Sequence, residues 1–442
     1  MRILHYFLGF PPFRSGGLTR FSVDLMEAQS ETDEVFALWP GTMVPGIGKP
    51  SVKSRGLHNG IHSYEMINPL PVPLDEGVKD IDKYTKKTDV AVFIKFLKKV
   101  YPDIIHIHTL MGLYEEFVDA AKLLKIKLVF STHDYFGICP KVTLYRNGSV
   151  CEDHNCDGCE SCNCRALSLR KITVLQSPLY RKLKTTDFVT KLRRKHRTQF
   201  FIENEIQDFG AKSGLSGEYR RLRRYYTGIL EKIDIIHFNS TLSETVYKKY
   251  MTPAKSQVIS ITNKGISDNR NKLEWTPSSD LNIVFLSPTK ASKGYDILIQ
   301  ALDGLWSENI RNFHLQVFFP VPQNAEYLSV QPDGFSHSQL EEIFRHADVL
   351  AAPSIWYETF GFTVLEALSY GVPVIVSDHV GACDIVRTGG LVVEAGSVEE
   401  LKKAVMSLTV EKQKMLRDCI KNDCSIKEWS IFVEEMKRMY KG

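Results

Sequence analysis

The chain has 442 residues, 24% of them charged, and a formal net charge of only +4. That length supports two or three domains with their own cores, and so small a net charge excludes a chain that binds nucleic acid over its whole surface. No apolar run approaches the roughly 18 residues of a membrane span, and nine cysteines without export point to reduced thiols or a metal site rather than a disulfide framework.

At the N-terminus, MRILHYFLGFPPF has an Arg and a short apolar run, but the run stops at Pro11 and Pro12 with no small-residue cleavage site. It reads as a strand over residues 2–8 rather than a signal peptide, and the expected location is cytoplasmic. PPFRSGG and a helix from about Leu18 follow, a strand, glycine loop and helix that let backbone approach an anionic group. The G-x-G-x-x-G fingerprint is absent, which weakens a dinucleotide reading. EVFALWPG (34–41) is a further strand, and the prolines of NPLPVPLDEG (68–77) predict an exposed loop.

A helix over 88–100, the strand DIIHIH (103–108), a helix near 113–124 and the strand KLVFSTHDYFG then alternate, which predicts a parallel sheet with ligands at the strands' C-terminal ends. His133 and Asp134 stand at such an end. His106 and His108 lie inside a buried strand, where histidines can simply be packed.

Six cysteines follow, Cys139, Cys151, Cys156, Cys159, Cys162 and Cys164, with His154 among them. Cys151, Cys156, Cys159 and Cys162 are candidate thiolate ligands of a structural zinc, the plain alternative being reduced cysteines in a loop. Between Arg165 and Phe200 eleven Lys or Arg face one acid, Asp187, and YRRLRRYY (219–226) adds a second cluster. Basic residues interleaved with apolar ones on a helix suit an anionic lipid surface; RNA or a solvated helical face are the competing readings.

The strand 233–240, a helix to Tyr250 and the strand 256–266 close the first domain, and the second opens at about Leu281. Lys290 and Lys293 in PTKASKGYDILIQAL sit beside a helix start, where two ammonium groups can neutralise a diphosphate, or are two solvated loop lysines. Strands HLQVFF (314–319) and ADVLAA (347–352) flank a helix, SQLEEIFRH. YETFGFTVLEALSYGVPVIVSD (357–378) reads as a loop, a helix from about Phe362 to Tyr370 stopped by Gly371, and a strand.

That helix is apolar on nearly every side of Glu366, so it should be buried, and an ionised Glu there needs donors because lost hydration costs on the order of 3 kcal/mol or more. Two neighbouring ribose hydroxyls would satisfy it. Glu358 precedes the helix, Gly361 permits close approach, and the amides from Phe362 onward form a helix start that attracts phosphate. The plain alternative makes Glu366 a first-turn glutamate favoured by the helix dipole and Glu358 a loop acid. At the tail, Ile426, Trp429, Val433, Met436 and Tyr440 form one apolar stripe.

Glu358 and Glu366, with seven residues between them in E-TFGFTVL-E, resemble the donor-site motif of retaining glycosyltransferases of family 4. The flanking ADVLAAPS and GVPVIVSD are similar to that family's strands. The resemblance implies an α/β GT-B fold, two Rossmann-like doubly wound domains facing across a cleft. Residues 1–270 would be the acceptor domain, with a Cys-rich and basic insertion at about 139–230. Residues 281–425 would be the nucleotide-sugar donor domain, and 426–442 a helix packing back on the first. NKGI, at 263–266, is similar to the family's turn at the domain junction.

It also implies roles. Gly16 and Gly17 would face the donor phosphates or the acceptor, and His133 would reach the donor sugar. Lys293 with Gly294 matches the family's Lys-Gly pair, whereas its usual Arg is missing near Ser287 and Pro288, leaving Lys290 to substitute without a bidentate fork. Backbone at Gly334 to His337 would hold the base, Glu366 the ribose, and Glu358 with the amides of Gly361 and Phe362 the sugar. His133, Glu358 and Lys293 are thus the expected catalytic residues, with no cofactor required. The implied partners are a nucleotide-diphosphate sugar, a glycan or lipid-linked acceptor of cell-surface polysaccharide, and an anionic membrane surface met by residues 165–226 on its cytoplasmic side. No nucleic acid is expected. The alternatives are an epimerase or phosphorylase on the same fold, and a Cys-rich RNA-binding protein on an inactive GT-B scaffold.

Overall fold

The computed structural model describes residues 1–46, 48–184, 186 and 214–442. The basic run at Lys191, Arg193, Arg194, Lys195 and Arg197 therefore lies outside the described residues. Among those described, two large sheets carry the architecture. The first contains β1 (Arg2–Tyr6), β2 (Glu34–Pro40), β3 (Ser51–His58), β4 (Ile61–Ile67), β5 (Ile104–Ile107) and β6 (Lys127–Ser131). A two-residue hairpin, β7 (Tyr145–Arg146) and β8 (Ser149–Val150), precedes its last strands, β9 (Ile235–Phe238) and β10 (Ser256–Val258). The second sheet contains β11 (Leu281–Phe285), β12 (Phe313–Val317), β13 (Leu328–Val330), β14 (Val349–Ala352), β15 (Val374–Ser377) and β16 (Gly390–Val393).

The orders are β10-β9-β6-β5-β1-β2-β4-β3 and β13-β12-β11-β14-β15-β16, and every pair in them is parallel except β3 with β4. Strands such as β14 and β15 are buried along their whole length because helices cover both faces, which is why VLAA and VIVS lack alternation. Strand order reverses between β1 and β5, and between β11 and β14. Crevices open at the C-terminal ends of strands at such points.

Two expectations fail for instructive reasons. NPLPVPLDEG is not an exposed loop: Leu70 and Val72 are 1% and 6% exposed. Each proline removes a backbone donor, and the N–H groups left between them are answered by Gly112 O at 3.2 Å (Leu70) and Gln176 Oε1 at 3.1 Å (Val72), so the segment can be buried without orphaned donors. YRRLRRYY, in the helix Ser216–Glu231, does not present its aromatics outward. Tyr219, Leu222 and Tyr226 are buried, Arg223 donates to the carbonyls of Ile138 (2.9 Å) and His154 (2.8 Å), and Arg221 pairs with Asp82. A guanidinium's five donors suit a loop rich in free carbonyls, so this cluster clamps the cysteine-bearing segment. The neighbouring helices Leu169–Leu175 and Pro178–Leu183 do expose Val174, Leu175, Leu179 and Leu183 beside Arg170, Lys171 and Lys182.

The last helix, Trp429–Lys441, buries Phe432, Val433, Met436, Met439 and Tyr440. Its Phe432 meets Phe21 of the helix Gly17–Ser30 at 5.4 Å, and Lys127 of β6 donates to the Tyr440 carbonyl at 3.0 Å. The chain's end is thereby built into the first sheet. No helix among the described residues is long and apolar enough to cross a membrane.

Candidate active site

The loops after β11 and β14 meet at the second switch point. The Ser292 carbonyl, in the 3-10 turn Ala291–Lys293, accepts from the amides of Ile355 (2.9 Å) and Trp356 (3.2 Å), stapling one loop to the other. Gly294 makes the approach possible: its φ is +76°, and a Cβ there would stand 1.8 Å from the Pro353 carbonyl oxygen. Lys293 Nζ is thereby placed 2.9 Å from Glu358 Oε1 and 4.9 Å above the Trp356 ring. The Ser354 hydroxyl donates to the same carboxylate oxygen. Backbone fixes Glu358 in turn, its amide on His379 O at 2.9 Å and its carbonyl accepting from Gly381 N at 3.0 Å. Gly294→Ala is expected to destabilise the fold by about 1–3 kcal/mol, since it adds αL strain to a backbone clash. Urea denaturation checks the loss.

Gly361, with φ +108°, caps the helix Phe362–Ser369, and a Cβ there would lie 2.7 Å from Val380 Cγ1. Within the helix Glu366 is 5% exposed. Among the described residues the one basic group within 4.0 Å of its carboxylate is His337 Nδ1, at 3.5 Å, on a half-exposed imidazole. Burial pushes Glu366 up to about 7, against the pull of Arg20. Arg20 belongs to the first domain, in the first turn of the helix that Gly16 opens, and its amide donates to Gly16 O at 3.0 Å. Gly16 has φ +116°, and a Cβ at Gly16 or Gly17 would meet nothing within 4 Å, so that turn borders open space.

The Glu358 loop also bridges the two domains. Thr359 Oγ1 donates to the His133 carbonyl at 3.2 Å, Ser240 Oγ donates to Thr359 O at 2.9 Å, and the Thr241 amide donates to Asp384 at 2.7 Å. His133's ring lies 4.7 Å from that of Phe21, with Nε2 3.2 Å from His108 Nδ1 and Nδ1 3.5 Å from Asn239 Nδ2. Burial pushes it down to about 3, so it is neutral near pH 7, while burial pushes Asp134 up to about 7.

The structure thus gathers Lys293, Glu358, Gly361, Phe362 and the His133 backbone at one junction, and sets Glu366 within the field of the helix that follows Gly16 and Gly17. Lys290 lies on the loop of Lys293, its amide donating to Pro288 O at 2.8 Å. Sequence reasoning passed over Ser354, Trp356, Thr359, Asn239 and Arg20. Of these only Arg20 carried a signal, a lone cation in the first turn after a glycine pair. Of Cys151, Cys156, Cys159 and Cys162, the last two bound the short helix Cys159–Cys162, and Cys156 and Cys159 are buried. Among the described residues, the group whose ligand atoms all lie within 4.8 Å of one another is His5, His106 and His108, and Cys156 instead hydrogen-bonds Cys159.

Residues 331–424 match the family described as Glycosyl transferases group 1. The chain is 22% identical over 311 residues to a protein described as an uncharacterized 42.6 kDa protein in the cps region of Klebsiella pneumoniae, covering 68% of this chain and 63% of that one. It is 23% identical over 346 residues to a glycogen synthase of Protochlamydia amoebophila, covering 71% of this chain and again 63% of the relative. The chain therefore spans less than two thirds of the length of these curated relatives. Among solved structures it is similar to an α,α-trehalose 6-phosphate synthase of Burkholderia multivorans, with TM-score 0.58, 12% identity, and 99% of this chain and 96% of the other covered. It is also similar to the Anabaena protein HepE in complex with UDP and glucose, with TM-score 0.53, 13% identity and both chains fully covered. These likenesses, with the two doubly wound sheets, establish the two-domain GT-B fold.

Proposed function

We propose that the chain is a retaining glycosyltransferase of family 4 that moves a sugar from a nucleoside-diphosphate sugar to a lipid-linked glycan of cell-surface polysaccharide. Glu366 carries the proposal: a carboxylate 5% exposed, inside the segment matching the group 1 family, whose nearest basic group is a half-exposed imidazole that burial disfavours from charging. Ribose hydroxyls are donors of the right kind and spacing to answer it. The solved complex of HepE with UDP and glucose supports a nucleotide donor, and the cps-region relative supports a polysaccharide role.

In the reaction the bond from the anomeric carbon to the diphosphate oxygen breaks, and its electron pair leaves on the phosphate. Lys293, with Lys290 beside it, offsets that charge as it develops. The acceptor hydroxyl forms the new bond on the same face, its proton passing to the departing phosphate oxygen, so configuration is retained. Glu358, oriented by Lys293 and Ser354, accepts from sugar hydroxyls, and the amides from Phe362 lie at a helix start suited to negative charge. His133 completes the sugar site, with Gly16 and Gly17 opposite. No step passes through a metal.

A thermal-shift screen over nucleoside diphosphates and their sugars tests the donor class: one of them should raise the melting temperature by linkage, and no shift with any at millimolar concentration would refute it. The exposed Val174 and Leu179 beside Arg170, Lys171 and Lys182 support contact with an anionic membrane, where each basic residue contributes about 1 kcal/mol. Co-sedimentation with phosphatidylglycerol vesicles should be strong for the full chain and reduced by Leu179→Asp. Equal binding by the variant would remove this surface from the proposal.

A further inference from the structure

His5, His106, Ser131 and His237 sit side by side on neighbouring strands, because β1, β5, β6 and β9 pair in parallel with His5 opposite His106 and Ser131 opposite His237. All four, with His108, are buried. They share the sheet face of Ile3, Ile104, Val129 and Ile235, which the C-terminal helix covers. The four imidazoles enclosed in this way, and that of the part-buried His133 beside them, are held neutral by burial. A neutral imidazole has one donor and one acceptor nitrogen, so each bond it makes dictates the next.

The direction can be followed from one fixed point. The Ile259 carbonyl can only accept, so His237 Nε2, 2.8 Å away, carries its hydrogen and His237 Nδ1 is bare. Ser131 Oγ, 2.7 Å from that nitrogen, must donate to it, and therefore accepts from His106 Nε2 at 2.7 Å. His106 Nδ1 is then bare and takes the Tyr440 hydroxyl hydrogen at 2.7 Å. The Tyr440 oxygen accepts in turn from the Gln29 amide nitrogen at 3.2 Å, which turns the Gln29 oxygen towards His5 Nε2 at 2.8 Å. His5 Nδ1 is thus bare and accepts from His108 Nε2 at 2.9 Å, and His108 Nδ1 accepts from His133 Nε2 at 3.2 Å.

The far end agrees independently. Asn239 Nδ2 donates to the Thr132 carbonyl at 2.9 Å, which fixes its amide so that a donor faces His133 Nδ1. A metal at His5, His106 and His108 would have to displace these bonds, since each of their ring nitrogens already has a protein partner.

We propose that His133 meets its ligand as the neutral Nε2–H tautomer, with Nδ1 a hydrogen-bond acceptor, and that Tyr440 and Gln29 are positioning residues for it through the histidine chain. The Asn239 bond at 3.5 Å is the longest of the series and the one a ligand can replace. On the glycosyl-transfer reading, the sugar must therefore offer a hydroxyl or N–H to His133, and a carboxylate at that position is disfavoured. The last helix, remote in sequence, sets what the site can recognise.

Nitrogen NMR of ligand-free protein labelled with 15N-histidine tests this without reference to activity, the His133 signals being assigned with His133→Gln. In wild type near pH 7, His133 should show a protonated Nε2 and an unprotonated Nδ1. Tyr440→Phe removes the hydroxyl that orients Gln29, and His133 should then become a mixture of tautomers, because the long Asn239 bond cannot hold it alone. A wild-type His133 protonated at Nδ1 overturns the proposal, and a pure Nε2–H signal retained in Tyr440→Phe overturns the long-range part. If Tyr440→Phe does not fold, the wild-type spectrum still decides. A nucleotide-sugar screen that finds no ligand would defeat the transferase reading and leave the tautomer assignment standing.

Discussion

Lys293→Ala is expected to lower kcat for sugar transfer by about two to three orders of magnitude, with a much smaller change in KM. The ammonium sits at the crossing of the β11 and β14 loops, held by Glu358 at 2.9 Å and the Trp356 ring, so on the proposed function a leaving diphosphate would meet it already oriented. Removing one preorganised charge of this kind costs about 3–4 kcal/mol in the transition state, or roughly a thousandfold in rate. The variant also leaves the Glu358 carboxylate with the Ser354 hydroxyl but no cation. That loss is structural and separable: Lys293→Met combined with Glu358→Gln should recover thermal stability without recovering turnover. Steady-state kinetics of all three proteins, beside their melting temperatures, make the distinction. Recovery of turnover in the double variant would reduce Lys293 to a packing role.

Glu366→Gln should do something less common, binding donor more weakly while folding more tightly. The folded-state value of about 7 lies above the 4.5 of an ordinary glutamate. Between those values the native state holds a proton that the unfolded chain has released, so wild-type stability falls as pH rises through this window and stays low above it. From the size of that shift the cost is about 3 kcal/mol at pH 8 and near zero at pH 4.5. Glutamine has no such cost. Urea denaturation should find the variant more stable than wild type at pH 8 and equal to it near pH 4.5. Nucleoside diphosphate binding should fall by about 10- to 100-fold at pH 8, because charge-assisted bonds to ribose are replaced by neutral ones. Wild-type affinity should itself weaken as pH drops below 7, where Glu366 takes up its proton.

Much of this was legible in the sequence because it is local. Alternating strands and helices predict a parallel sheet, the resemblance implies its second doubly wound partner, and the Lys-Gly pair and Glu358 lie on short loops beside a strand, with Glu366 in the helix that follows. What could not be read depends on register between distant segments. Nothing in DIIHIH tells that His106 will bond a tyrosine over three hundred residues away, or that His108 will hand its direction to His133. NPLPVPLDEG looked solvated because prolines mark loops; here they serve burial, since a proline has no N–H to satisfy. YRRLRRYY looked like a free basic face because its partners, the carbonyls of the cysteine segment, carry no side-chain signature.

The most direct measurement compares a ribonucleoside diphosphate with its 2′,3′-dideoxy counterpart by calorimetry, using wild type and Glu366→Ala. If ribose hydroxyls answer the buried carboxylate, wild type should prefer the ribonucleotide by at least tenfold and Glu366→Ala should bind both alike. Equal affinity of wild type for the two ligands would contradict the assignment of Glu366 to ribose.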